Sequence, residues 1–242
     1  MEFGIRAWAA CAAQLDTQQA WLAWSRAPWL PAGEELPALG PMAPMLRRRV
    51  TALGRAALHP AYACQPGVEG MPVIFASRHG DTLRPLQMLG NLADGEALSP
   101  TAFGLSVHNA IGALYSIDRG DPANLQALAA GRDTVEAAVV EACGLLADGA
   151  PEVLLVQYEA PLPAPYAVFA DEPECLFGWA WRVAGPRAGE TVFSLEATDA
   201  VPATPREPLL PHGLDVLRFV LAGDAELHHA GERAGWRWRR HG

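Results

Sequence analysis

Residues 99–117 read SPTAFGLSVHNAIGALYSI. Ser99-Pro100 signals a turn, and an apolar run studded with small residues follows. A packed helix accounts for that run. Gly112 and Ala113 let another backbone approach, while Leu105, Leu114 and Ile117 fill space. His108 and Asn109 are polar inside it, so each needs a hydrogen-bond partner wherever it is buried.

Upstream, residues 71–77 (MPVIFAS) form a short continuous apolar run, the pattern of a strand covered on both faces. Asp81 is placed to cap a helix carrying Leu83, Leu86 and Leu89, with Pro85 in its first turn. Downstream, Asp121-Pro122 marks a turn, and residues 124–130 fit strand or helix by pattern alone. Residues 134–146 give the clearest helix. Val135, Ala138, Val139, Ala142, Cys143 and Leu146 keep the spacing of a core-facing stripe, with Glu136 and Glu141 off it. Residues 152–157 read as a second buried strand. Strand–helix–strand order implies right-handed crossovers. The expected fold class is therefore α/β, with a mainly parallel mixed sheet and flanking helices.

Further out, residues 3–13 read as a buried first strand and residues 15–29, with Trp21, Trp24 and Trp29, as a short helix or an ordered insertion. A Pro- and Gly-dense loop spans 30–44. One amphipathic helix is expected over 45–63, its face formed by Leu46, Val50, Leu53 and Ala57. Arg47, Arg48 and Arg49 lie mostly elsewhere on that cylinder, as a solvated face or as a receiver for an acidic carrier protein or a phosphate. Past residue 165 the texture changes. Residues 176–183 and 190–196 read as a strand pair, 202–211 as a Pro-rich loop and 213–222 as a helix. Residues 235–240 (GWRWRR) alternate as an edge or partner-facing strand does. Two parts are expected: 1–165, and a β-rich extension, 166–242, that completes the same domain.

Composition narrows the function. The 242 residues are half hydrophobic, with 18 basic and 27 acidic side chains and a net charge of −9. That charge disfavours nucleic acid and anionic membrane as partners. Every basic residue is Arg, so no Lys can form a Schiff base or act as a general base. The four Cys residues contain no CxxC pair, which argues against a zinc site or a disulfide framework. Glu226, His228 and His229 hold ligand types, but adjacent residues on a strand point to opposite faces. No metal and no cofactor are expected. No window approaches the roughly 18–20 uncharged apolar residues of a membrane span, and a cytoplasmic location is expected.

The order of signals resembles the N-terminal half of the β-ketoacyl synthase (thiolase-like) family. Ser99-Pro100 with Phe103, Asn109 with Gly112, Asp121-Pro122-Ala123-Asn124, Asp148-Gly149 and the run 153–156 carry the likeness. The Ser-Val-His-Asn-Ala signature at 106–110, with Ser-Arg-His-Gly at 77–80, is similar to small family members that act as chain-length-factor-like partners in aryl polyene pathways. The resemblance implies a thiolase-like half-fold and places the synthase nucleophile at Arg132 or Asp133. Neither is Cys. A condensing thiolate is activated at a helix N-terminus, and Arg cannot replace it. Arg132 or Asp133 is left to cap the helix at Thr134 or to make a salt bridge at a partner interface. The family's two active-site His residues come from a second half that the chain is too short to contain in full.

The resemblance thus implies a catalytically silent subunit, heterodimeric with a full-length β-ketoacyl synthase. An acyl carrier protein is a further candidate partner. Asn124, Leu125, Gln126, Ala127 and Leu128 would form the strand meeting its mate across the dimer axis. Leu86, Met88, Leu89 and Phe103 would help wall the acyl tunnel, against the plainer expectation that each is ordinary core. The alternative is a serine-dependent thioesterase or acyltransferase acting on acyl-carrier thioesters, with Ser77 or Ser106 as nucleophile and His79 or His108 as base. Close neighbours on one loop rarely converge into a triad.

Overall fold

The computed structural model describes residues 1–65, 67, 69–199, 209–232 and 234–242. Most of the expected loop at 202–211 lies outside them. In chain order the elements are β1 (Glu2–Ala12), α1 (Gln18–Arg26), α2 (Pro44–Arg47), α3 (Ala52–Cys64), β2 (Val73–Ala76), α4 (Leu83–Ala93), α5 (Pro100–Gly104) and α6 (Ala110–Arg119). There follow β3 (Leu125–Leu128), α7 (Thr134–Ala147), β4 (Glu152–Glu159), β5 (Phe177–Ala184), β6 (Val192–Thr198), α8 (His212–Ala222), β7 (Glu226–Ala230) and β8 (Gly235–His241). The strands form one eight-stranded sheet in the order β3-β2-β4-β5-β1-β6-β8-β7.

Both faces of this sheet are covered, which explains why its central strands read as unbroken apolar runs. Successive side chains on a strand alternate between faces. Ile74 and Ala76 of β2, with Val153 and Leu155 of β4, enter one core beneath α7, α8 and α1. Val73, Phe75, Leu154, Val156 and Tyr158 enter the other, beneath α3 and α6. α3 lies so close to the sheet that a Cβ on Gly178 would run into the Ala56 carbonyl.

The α/β character is as expected, but the sheet is not mainly parallel. Only β3, β2 and β4 run parallel; the remaining neighbours are antiparallel. Parallel neighbours need a crossover of a dozen or more residues. Helices α4–α6 and α7 supply it for those three strands; β4 and β5 are joined through only a short 3-10 helix, Ala164–Phe169, and among the described residues no α-helix joins β5 to β6. Nor do β5 and β6 pair with each other. β1 lies between them, with Trp8 opposite Trp181 and Phe3 opposite Phe193. Apolar on both faces, β1 is driven to the interior of the sheet. β8 is not an edge either, because β7 covers it.

Two helices also depart from expectation. The helix expected over 45–63 is two, separated at 48–51, where Thr51 Oγ1 accepts from Gly54 N at 3.3 Å and starts α3. The run 99–117 is likewise α5 and α6. Ser99 Oγ caps the first, accepting from Ala102 N at 3.3 Å. Asn109 is exposed at the start of the second, and His108 Nε2 finds the Ser77 carbonyl at 3.0 Å.

Candidate functional site

β3 delivers the chain to a single 3-10 turn, Gly131–Asp133, and α7 begins at Thr134. Gly131 has φ +56°, and the Glu232 carboxylate beside it leaves no room for a Cβ. Thr134 Oγ1 donates to the Gly131 carbonyl at 2.7 Å and accepts from Ala130 N at 3.0 Å. Asp133 stands at the cap position, yet its carboxylate does not cap. It accepts instead from Glu232 N at 3.2 Å and from Trp236 Nε1 at 3.3 Å. Glu232 in turn accepts from Arg132 N at 3.1 Å, and His229 Nε2 lies 2.9 Å from the Arg132 carbonyl. The tip of the β7–β8 hairpin is therefore folded over the first turn of α7. The Arg132 side chain is exposed.

Beneath that tip sits Glu136, 0% exposed. Sequence periodicity placed it off the core stripe. α8 and the β7–β8 hairpin pack on that flank of α7 and bury it, and no local signal in the sequence announces them. Glu136 Oε1 takes His212 Nε2 at 2.7 Å and Trp238 Nε1 at 2.9 Å. The His212 and His229 rings stack 3.5 Å apart at 15°. Burial alone would raise the Glu136 carboxyl, but the His212 imidazolium beside it brings it below its ordinary value. Burial opposes charge on His212, and Glu136 overrides it and raises the imidazole. Strand alternation separates the two adjacent His residues. His228 pairs with Glu226 at the surface, while His229 turns inward.

The second cluster lies at the ends of β2 and β4. Ser77 Oγ donates to Glu159 Oε2 at 3.2 Å and accepts from Gly80 N at 2.9 Å. Arg78 N and Gln157 Nε2 donate to Glu159 Oε1 at 2.7 and 3.0 Å. Burial pushes this carboxyl up to about 8. His108 meets the Ser77 carbonyl rather than its hydroxyl, and the Ser106 hydroxyl donates to Phe103 O at 2.8 Å. The structure does not bring either serine hydroxyl to an imidazole, so no nucleophile–base pair forms at either position.

β3 ends the sheet. It pairs with β2 alone, and its outer edge is open among the described residues. Asn124 and Ala127 are exposed, while Leu125, Gln126 and Leu128 are half-buried. Gln126 Nε2 donates to Glu141 Oε1 at 2.8 Å. α4 and α5 bury none of their residues. Leu89 is 55% and Phe103 62% exposed, with Leu83 and Leu92 also open, while Leu86 and Met88 are half-buried. Ordinary core packing therefore does not describe Leu89 or Phe103. Arg48 and Arg49 are exposed, and Arg47 donates to the Leu39 carbonyl at 3.2 Å.

A parallel three-strand unit whose edge strand leads into a buried helix N-terminus, inside a mixed sheet covered on both faces, is a thiolase-like arrangement. The chain belongs to the β-ketoacyl synthase N-terminal domain family, whose model matches residues 21–239. Among solved structures it is similar to a chain in the complex of a ketosynthase with its chain length factor from Xenorhabdus doucetiae. That match has 27% identity and a TM-score of 0.86, covering 99% of this chain and 100% of that one. The ishigamide ketosynthase/chain length factor (16% identity, TM-score 0.65) covers 85% of this chain and 69% of its own. A β-ketoacyl synthase from Burkholderia phymatum STM815 (12%, 0.56) covers 92% and 70%. These last two show a shared fold. No curated protein matches the chain. Among the described residues no helix is long and apolar enough to cross a membrane.

Proposed function

We propose that this chain is a chain-length-factor-like subunit that pairs with a full-length β-ketoacyl synthase and shapes that enzyme's acyl tunnel, in aryl polyene or related fatty acid or polyketide-type synthesis. One observation carries the reading. At the start of α7, the place that the family resemblance implies for the synthase thiolate, stand Arg132 and Asp133, with the β7–β8 tip hydrogen-bonded across both. The condensation of this family uses a thiolate that carries the acyl chain; Arg132 is a cation, and the Asp133 carboxylate is held by Glu232 N and Trp236 Nε1.

Four further features support a partner role. The likeness to a chain of a ketosynthase–chain length factor complex runs end to end. The β3 edge offers unpaired backbone groups at the strand expected to meet its mate, and strand addition is a recurrent docking mode. Leu89 and Phe103 project outward from helices with no core of their own to fill. Arg48 and Arg49 offer an acidic carrier protein a basic patch on an otherwise acidic molecule.

Co-expression with the ketosynthase of a neighbouring reading frame tests the proposal. The two chains should co-purify at fixed stoichiometry. The pair should make longer acyl products than the synthase alone, by mass spectrometry of the carrier-bound chains. A monomeric chain that leaves the product distribution unchanged would overturn it.

A further inference from the structure

We propose that Glu136, His212 and His229 form a binding site for a divalent transition-metal ion of the zinc class, which fastens the β7–β8 hairpin and α8 to the start of α7. One carboxylate oxygen and one imidazole nitrogen from each histidine lie within 4.8 Å of one another. The donors come from three separate elements, so an ion bound there would join parts of the chain distant in sequence.

Without an ion, the proton on His212 Nε2 bridges to Glu136 Oε1; a bound cation takes that proton's place and the proton leaves to solvent. The ion pair accounts for only part of this cluster. Glu136 Oε1 is satisfied by His212 and Trp238, but Oε2 is buried with no hydrogen-bond partner among the described residues. A carboxylate oxygen left bare in an enclosed site is costly, and a cation removes that cost. The second imidazole is also unexplained by an ion pair. His229 Nε2 lies on the Arg132 carbonyl, an outer contact of the kind that fixes the tautomer of a metal-bound imidazole and leaves the other nitrogen its lone pair. Asp133 Oδ1, 3.7 Å from His229 Nε2, is a further anionic oxygen at the rim. Two imidazoles with carboxylate oxygen suit zinc and its neighbours, whereas magnesium and calcium favour all-oxygen sets. Cys143, outside this cluster, is not needed.

The test uses tag-free, chelator-treated full-length protein, titrated with Zn²⁺ alone by calorimetry and with Co²⁺ alone by visible absorption. Elemental analysis gives the stoichiometry. The expected result is one ion per chain, a melting temperature raised by saturating Zn²⁺, and ligand-field bands from bound Co²⁺. His229→Ala should weaken binding by on the order of 100-fold or more, since even an outer contact to a ligand is worth about 10–100-fold. If that variant fails to fold, Glu136→Gln, which keeps the side chain's shape, gives the same reading. His228→Ala, at the surface beside Glu226, should bind as the unaltered chain does. Absence of stoichiometric Zn²⁺ binding would overturn the proposal. So would unchanged binding in both His229→Ala and Glu136→Gln, or loss of binding in His228→Ala.

Discussion

One side chain at the sheet's end, Glu159, ties the stability of the fold to pH. Glu159 is enclosed by Ser77, Arg78 and Gln157, with Glu172 a further negative charge nearby. Its carboxyl titrates at about 8 when folded, against 4.5 ordinarily. The folded state therefore holds a proton that the unfolded chain releases between those values. The stabilisation from this proton is complete below about 4.5 and is lost as pH rises through about 8. In Glu159→Gln, the loss of stability between about pH 4.5 and 8 should flatten, as read from urea midpoints at several pH values. An unchanged slope would place the effect in other groups.

At the scale of elements, β3 is the piece most exposed to a partner. In its parallel ladder Asn124 O receives Val73 N, and Leu128 O receives Ser77 N. The even-numbered residues thus face β2, and the backbone groups of Leu125 and Ala127 face outward. Ala127→Pro removes an outward donor without taking a bond from the ladder. It should abolish co-purification with a synthase while moving the melting temperature of the isolated chain by no more than a few degrees. Gly178→Ala acts on the opposite kind of contact, where α3 meets β5 with no space for a methyl group. It should cost at least ~1–3 kcal/mol in denaturant unfolding.

The sequence was informative where periodicity was local. β2, β4 and α7 were legible because a strand covered on both faces is apolar throughout and a core-facing helix repeats every 3.6 residues. What it concealed depended on distant packing. The insertion of β1 between β5 and β6 follows from its having two apolar faces, not from any turn. Glu136 lies off the core stripe by periodicity, and the elements that bury it begin more than 70 residues later. Asp133 stands at the head of α7 but does not cap it as expected; its partners belong to the β7–β8 tip, which no local spacing foretells.

Taken whole, the molecule has two core clusters and an apolar surface on α4 and α5 that neither core fills. Leu83, Leu89, Leu92 and Phe103 on α4 and α5 all stand more than half exposed, and exposed apolar surface on that scale marks an interaction site or an aggregation liability. The isolated chain should bind an environment-sensitive dye such as ANS in the folded state, and addition of a stoichiometric synthase should suppress that signal. Dye binding that survives complex formation would place the partner elsewhere.

The central position of β1 has a consequence for how the protein is made. β1 leaves the ribosome well before the strands it pairs with, β5 and β6, so its pairings close loops of more than 160 residues. Such non-local contacts form slowly and leave apolar edges open meanwhile. A ribosome-stalled chain ending near residue 170 should be readily cleaved by protease. Resistance should appear only once β5 and β6 have emerged, which makes the later part of synthesis the interval in which chaperones matter most.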